Sequence, residues 1–332
     1  GPFAPLLDAA IADGYKRLMA PSLERELRAK LTVRAQTDAI KVFAKNLESL
    51  LSARPVRGAR VISLDPGYRT GCKVAVLDEY GTLLDHGVVY PTPPRRDTAG
   101  TKRELARLVR KHRINTIVIG NGTASRETEA VVSEFIAESA PDLRYTIVNE
   151  AGASVYSASE LASAEYPDLD VTTRGAMSLG RRLQDPLAEL VKIPPQSIGV
   201  GQYQHDLDQA ELARTLGYVV EDVVNRVGVD VNTASASLLS YVSGITAAVA
   251  RNIVAYREEH GAFTDRRQLK DVPKLGPKAY EQCAGFLRIN GGDNPVDATS
   301  VHPESYEVAR KVLEHAGVGA GDGFFRIAAA TP

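Results

Sequence analysis

The sequence predicts a mixed α/β sheet domain joined to an all-α domain, with a helical lead-in before them. Over residues 57–192, short apolar runs rich in β-branched residues alternate with helical periods, which is typical of a sheet with helices on its faces. Residues 193–293 show helical periods broken by short turns with glycine corners, and residues 3–56 show helical periods alone. Residues 294–332 predict a partial C-terminal helical segment.

The composition is ordinary for a globular chain and argues against several classes of protein. Lys and Arg number 40 and Asp and Glu 41, so any basic surface must be local. Two cysteines without paired Cys/His spacing argue against a disulfide framework or a structural zinc site and fit a reducing cytoplasm. No apolar run approaches the roughly 20 residues of a membrane span, and no signal peptide is visible. We therefore expect a cytoplasmic monomer with no membrane partner.

The lead-in predicts packing helices without chemistry of their own. Gly1-Pro2 before it is typical of tag removal, so we expect the chain to be a piece of a longer one. Arg54 to Gly58 then breaks the pattern as a linker. The apolar residues at helical spacing are Leu18, Leu23, Leu27 and Leu31, followed by Ile40, Phe43, Ala44, Leu47, Leu50 and Leu51.

The α/β region predicts three hairpin-linked strands followed by β-α-β repeats. A helix is expected from about Thr101, and another begins at Ser125, a suitable N-cap. Two further helices are expected over 151–164 and 178–191. The predicted strands are 61–65, 72–77, 83–90, 116–119 and 144–148.

Three acids are candidate site residues: Asp65 ends a predicted strand, Glu150 lies just beyond another, and Asp185 lies in a later helical stretch. Asp65 begins Asp-Pro-Gly, which alone is a turn signal, and Asp185 before a proline is equally typical of a helix N-cap. The order of strands and acids resembles the RNase H superfamily, in particular its RuvC/YqgF branch. That resemblance implies a catalytic cluster of Asp65, Glu150 and Asp185 that holds Mg²⁺ or Mn²⁺ ions ~3.5–4 Å apart for phosphodiester cleavage, or a vestige of one that requires no cofactor.

Other polar residues nearby have two interpretations each. The turn at 121–123 (Asn-Gly-Thr) is either a phosphate cradle at a helix start or an ordinary strand-to-helix turn. Arg174, Arg181 and Arg182 either neutralise the acids or contact a nucleic-acid backbone. His205 and Asp206 lack a partner cysteine or nucleophilic serine, so we expect a structural joint there.

Two stretches of the all-α region predict helix-hairpin-helix units, in which two short helices flank a hydrophobic residue between glycines. The first contains Gly244, Ile245 and Thr246, with Thr246 in place of a second glycine. The second contains Lys274, Leu275, Gly276 and Lys278, with Lys274 in place of the first glycine. Such corners bring backbone amides close to a phosphate without reading bases, and the lysines add suitable charge. A single such hairpin is also a common packing corner.

The C-terminal segment predicts one helix over 303–315 with Tyr306, Ala309 and Leu313 inward, followed by a Gly-rich tail that is either poorly ordered or truncated. Long motifs across the chain resemble the bacterial Tex family of transcription accessory factors. That resemblance implies a helical lead-in, a YqgF-like domain and a tandem helix-hairpin-helix domain, without a complete N-terminal helical region or C-terminal OB-fold module. The motifs are 63–71, 120–126, 149–157, 182–190 and 199–206.

The leading functional hypothesis is a non-enzymatic scaffold that binds DNA or RNA through its phosphate backbone and works with RNA polymerase or associated factors. One alternative is a metal-dependent nuclease or resolvase that acts through Asp65, Glu150 and Asp185. Another is a protein-interaction platform whose hairpins are packing corners.

Overall fold

The computed structural model describes residues 2–56, 58–199 and 201–315. Its first element is a nearly continuous helix formed by α1 (Ala4–Gly14), a π turn (Tyr15–Met19) and α2 (Ala20–Leu51). Only the C-terminal end of α2 is buried, and it packs against the helical domain. The leucines between residues 18 and 31 stay 54–61% exposed. The predicted packing of helices is therefore wrong for the first half of the lead-in, because no other described element covers it.

A five-stranded mixed sheet has the order β3-β2-β1-β4-β5. The first three strands form an antiparallel meander, and β4 and β5 run parallel to β1. Consequently the C-terminal ends of β1, β4 and β5 meet at one edge of the sheet. The strands are β1 (Val61–Asp65), β2 (Cys72–Leu77), β3 (Leu83–Val89), β4 (Thr116–Gly120) and β5 (Arg144–Val148).

Helices cover both faces of this sheet, as predicted. On one face, α3 (Thr98–His112) and α4 (Ser125–Ser139) bury apolar side chains against β1 and β4. On the other, α5 (Ala153–Ser157) and α7 (Val171–Gln184) close a second apolar cluster, with α6 (Glu160–Glu165) between them in the chain. Both faces are covered, so β1 and β4 are nearly continuous apolar runs rather than alternating ones.

Several predicted helix boundaries are wrong for local reasons. The helix expected over 151–164 is split, because the Ser159 hydroxyl accepts from Ala162 N and starts α6. The helix expected over 178–191 is also two helices, α7 and then α8 (Pro186–Leu190), because proline cannot continue α7. Ser125 is not the N-cap of α4: Ala124 takes that position with φ +66° and no side-chain cap.

The helical domain begins with two 3-10 turns (Pro195–Ile198 and Gln204–Asp206) and shares one apolar core with the ends of α2 and α8. Its elements are α9 (Gln209–Val227), β6 (Val229–Asp230), α10 (Ala236–Leu239), α11 (Ala247–His260), a 3-10 turn (Arg266–Asp271), α12 (Pro277–Cys283) and β7 (Leu287–Arg288).

The C-terminal segment contains two 3-10 turns (Pro295–Ala298 and Pro303–Ser305) and α13 (Tyr306–His315). Tyr306 and Ala309 are half-buried, as predicted. The Leu313 side chain and the Gly-rich tail, for which the sequence also made predictions, lie outside the part of the chain that the structure describes. Within the described ranges, no helix combines the length and apolarity needed to cross a bilayer.

Candidate nucleic-acid interface and carboxylate pair

Asp65 and Glu150 lie at the same edge of the sheet. Asp65 is the last residue of β1, and Glu150 follows the end of β5. The two strands run parallel through β4, so their carboxyl ends carry these side chains to one place. The negative charge of Glu150 acts on Asp65 strongly enough to raise its pKa. The structure thus brings two of the three predicted acids together.

The environment of Asp65 favours its protonated form. Burial, followed by the charge of Glu150, raises the pKa of Asp65 from 3.8 to about 6, against a smaller lowering by Lys73. The ammonium group of Lys73 is engaged elsewhere, since it donates to Thr70 O at 2.5 Å. Across from Asp65, helix α7 presents Gly175, where an added Cβ would lie 3.6 Å from Asp65 Oδ2. A glycine there offers no third ligand.

The turn that connects β4 to α4 seats the Glu150 carboxylate. An added Cβ on Gly122 would lie 1.7 Å from Glu150 Oε1, and one on Gly120 would lie 2.8 Å from Oε2. Asn121 Oδ1 also accepts from Glu150 N at 3.0 Å. A phosphate at this turn would meet a carboxylate that already fills the space. The ordinary-turn interpretation of residues 121–123 therefore fits the structure better than the phosphate cradle.

Asp185 does not join the other two acids. It is exposed, and its Oδ1 accepts from Ala188 N at 3.0 Å as the N-cap of α8. Among the residues that the structure describes, no group of three or more His, Cys, Asp or Glu side chains is arranged to hold a metal ion. The predicted three-acid cluster is therefore not assembled, because the local cap fixes Asp185. Two carboxylates without this third acid do not fit a two-metal cleavage centre.

The three arginines of α7 are structural. Arg174 and Arg182 are only 8% and 5% exposed, so the predicted contact with a nucleic-acid backbone is wrong for them. Arg174 donates to Tyr166 O and Ser163 Oγ. Arg182 Nη1 donates to Asn149 O and Ala151 O, both at 2.7 Å, and this holds the chain on either side of Glu150.

Arg181 binds the turn between β2 and β3. His205 and Asp206 lie where the lead-in helix meets the start of the helical domain. Both Arg181 Nε and Nη2 donate to Gly81 O. His205 and Asp206 are exposed and lie 3.5 Å apart, while Asp206 O accepts from Gln36 of α2 at 3.1 Å. That contact ties the lead-in helix to the start of the helical domain.

The two hairpins adopt the same backbone geometry with an offset of 30 residues. Gly244 and Lys274 both have left-handed backbone, with φ +81° and +67°. Thr246 and Gly276 are the N-caps of α11 and α12. Lys274 thus occupies the conformation that a glycine has in the first copy, and the repeat predicted from sequence is present in three dimensions.

The two corners differ in how open they are. An added Cβ on Gly244 would lie 2.8 Å from Gln282 Cβ and 3.0 Å from Ala279 O, so the first corner packs on α12. No atom lies within 4 Å of an added Cβ on Gly276 among the described residues. Lys274 and Lys278 beside it are exposed. The second corner is therefore the more accessible one.

Ile245 and Leu275, the apolar residues of the two corners, are buried in the core of the helical domain. Their side chains are 6% and 5% exposed. Their amides are also used, because Ile245 N donates to Val242 O at 3.0 Å and Leu275 N to Val272 O at 3.2 Å. The free donors are instead amides in the first turn of each following helix. In the described part of the chain, no acceptor is found for Ala247 N and Ala248 N in α11, or for Lys278 N and Ala279 N in α12. Burial and these amide bonds favour a structural role for Ile245 and Leu275, and their predicted contact with nucleic acid stays a prediction.

A buried polar network that sequence reasoning missed joins the second hairpin to the C-terminal segment. Arg266 is 1% exposed and donates to Leu287 O, Val301 O, Thr299 O and Tyr306 Oη. Asp297, fully buried, accepts from Arg266 N at 2.8 Å and from Tyr306 Oη at 2.6 Å. Nothing in the local pattern of the sequence distinguishes Arg266 from its neighbour Arg267, which is exposed.

Comparison with known proteins agrees with this architecture. Residues 59–184 match the Tex protein YqgF-like domain, residues 224–288 a helix-hairpin-helix motif, and residues 294–326 a further helix-hairpin-helix domain. The last match covers the segment that the sequence predicted only as partly helical.

Curated relatives match most of the chain. Protein tex of Bordetella pertussis is 59% identical over 88% of this chain and 37% of its own length. Transcriptional accessory protein Tex of Neisseria gonorrhoeae is 55% identical over 91% of the chain and 39% of its own length. S1 RNA-binding domain-containing protein 1 of Homo sapiens is 41% identical over 94% of the chain and 36% of its own length. The chain thus spans about two fifths of the length of these relatives.

Fold and comparisons together define an RNase H-like domain of the YqgF type followed by helix-hairpin-helix domains. The same combination, with 55–59% identity to proteins named Tex over most of the chain, identifies the family. The chain belongs to the Tex family.

Proposed function

We propose that this chain is a nucleic-acid-binding scaffold of a transcription accessory factor, and that it binds the sugar-phosphate backbone without reading sequence. The observation that carries the proposal is the second hairpin, with its open Gly276 corner between the exposed Lys274 and Lys278. Ammonium groups and free amides at such a corner suit a phosphate and are indifferent to the bases. The name of the Neisseria gonorrhoeae relative, transcriptional accessory protein Tex, supports the link to transcription.

The first hairpin contributes less in this proposal. Its glycine packs on α12, and Thr246 Oγ1 already satisfies Val249 N at 3.3 Å. The corner itself, 243–246, carries no basic side chain, and the nearest one further along α11 is Arg251. The first copy therefore serves mainly to hold the second in place.

Fluorescence anisotropy with labelled duplex DNA, single-stranded DNA and RNA over a salt series tests this proposal. The double variant K274E/K278E should weaken binding and lower the slope of log affinity against log salt by about 2 on a duplex. The control K16E/K30E makes the same change of net charge on the exposed lead-in helix and should bind like the parent. An affinity that does not depend on salt, or equal losses in both variants, would refute the proposal.

The pairing of Asp65 with Glu150 is the one observation that favours a nuclease as a second candidate. Incubation of branched and single-stranded substrates with Mg²⁺ or Mn²⁺ tests it. Cleavage that disappears in Asp65→Asn would support a nuclease, and cleavage that persists would come from another source. Binding to RNA polymerase, a monomeric state and a cytoplasmic location remain predictions.

A pull-down of transcription proteins after nuclease treatment separates a protein-interaction platform, which keeps its partners, from a nucleic-acid scaffold, which loses them.

A further inference from the structure

Helix α3 of the sheet domain and its flanking loops form the most basic stretch that we find in the chain. Residues 95–113 contain eight Lys or Arg and two acids, whereas the whole chain has a net charge of −1. The two acids are engaged locally: Asp97 caps α3 by accepting from Gly100 N, and Glu104 binds Arg107. The positive charge is thus concentrated on one helix of the sheet domain.

The two flanks of α3 are neutralised by neighbouring elements. On one side, Lys102 Nζ lies 2.9 Å from Glu138 Oε1 of α4. On the other, Lys111 Nζ lies 2.9 Å from Asp85 Oδ2 of β3, and this pairing lowers the pKa of Asp85 to about 2. These ion pairs need no external partner.

The outermost ridge of α3 carries arginines without such partners. Arg103 and Arg110, two helical turns apart, are exposed and point away from the buried Leu105 and Leu108. Neither has a carboxylate partner in the described part of the chain. Arg96 and Arg113, also exposed, flank α3 at its two ends. We call these four residues, Arg96, Arg103, Arg110 and Arg113, the arginine crest.

Small residues separate the crest arginines. Ala99 and Ala106 occupy the positions between them on the same ridge, so the helix surface is low there. The ridge carries no aromatic or large aliphatic side chain, which an anchored protein interface would need. Guanidinium groups bind phosphate oxygens in pairs, and α3 is about 22 Å long, which spans several nucleotides.

We propose that the arginine crest is a second surface for the sugar-phosphate backbone of nucleic acid, in addition to the hairpins. The crest lies on α3, which covers the sheet face opposite to α7. It belongs to a different domain from the hairpin corner, so substitutions can test the two surfaces separately. Each surface would contribute its own share of the salt dependence of binding.

Anisotropy with a labelled duplex over a salt series tests the crest. The variant R103Q/R110Q should weaken binding about tenfold and lower the salt slope by about 2. The control K102Q/K111Q removes the same charge from the same helix, but from side chains already paired, and should change affinity less than about twofold. R103K/R110K retains the charge and should keep the salt slope. Circular dichroism checks that each variant is folded.

The outcomes separate this inference from the proposed function. If R103Q/R110Q binds like the parent, or if both glutamine variants lose affinity equally, the crest has no specific role and the inference is overturned. A loss in K274E/K278E alone leaves the hairpin proposal intact and rejects the crest. A loss in R103Q/R110Q alone supports the crest and rejects the hairpin.

Discussion

Replacing Asp65 by asparagine should stabilise the folded protein at neutral pH. Burial and the charge of Glu150 raise the pKa of Asp65 from 3.8 to about 6, so the ionised carboxylate destabilises the folded state. This difference corresponds to an upper value of about 3 kcal/mol, at 1.36 kcal/mol for each pKa unit. The asparagine side chain has nearly the same shape and carries no charge.

Proton linkage fixes the direction in which the free energy of unfolding changes with pH. The folded protein holds the Asp65 proton more tightly than the unfolded chain, so the free energy of unfolding falls as the pH rises from about 4 to about 6 and then levels off. Asp65→Asn removes this loss. Relative to the parent, its gain should be largest near pH 8, with an upper value of about 3 kcal/mol, and vanish near pH 4.

Urea unfolding followed by circular dichroism at these two pH values measures the difference. Asp185→Asn is the matched control, because asparagine caps a helix as well as aspartate does, and its stability should change by less than about 0.5 kcal/mol at either pH. A variant at Asp65 that is no more stable than the parent near pH 8 would contradict the reasoning. So would a gain of equal size at both pH values.

Three further substitutions test individual contacts. Gly122→Ala should displace the Glu150 carboxylate, since the added Cβ would lie 1.7 Å from Glu150 Oε1. The pKa of Asp65 should then fall in a carbon-13 NMR titration, because the Glu150 charge that raises it has moved away. An unchanged titration would argue against the contact. Lys274→Gly should raise the free energy of unfolding by about 1 kcal/mol, because glycine adopts the left-handed backbone at this position without a steric cost. The same substitution should weaken nucleic-acid binding, because it removes a positive charge. A variant that is less stable, or that binds as tightly as the parent, would contradict this prediction. Arg266→Met should lower the free energy of unfolding by at least about 3 kcal/mol because buried acceptors lose their donor, and an unaltered melting temperature would count against this.

Much of the fold could be predicted because its determinants are local. The β-branched runs at 61–65 and 116–120 form strands wherever they are buried on both faces. The hairpin repeat is likewise local, since a left-handed residue, a buried apolar residue and an N-cap follow one another within a few positions. Helix ends were less predictable, as the break at Pro186 shows, because caps compete at neighbouring residues.

The sequence by itself determined the class of protein: a strand-and-helix domain with acids after its strands, followed by paired glycine corners. Only the tertiary structure decided that Asp65 meets Glu150 while Asp185 caps a helix, and that Gly244 is packed whereas Gly276 is open. Such outcomes depend on which distant segments lie against each residue, through burial, charge and excluded volume. Those quantities arise between elements far apart in the chain, so local sequence patterns do not contain them.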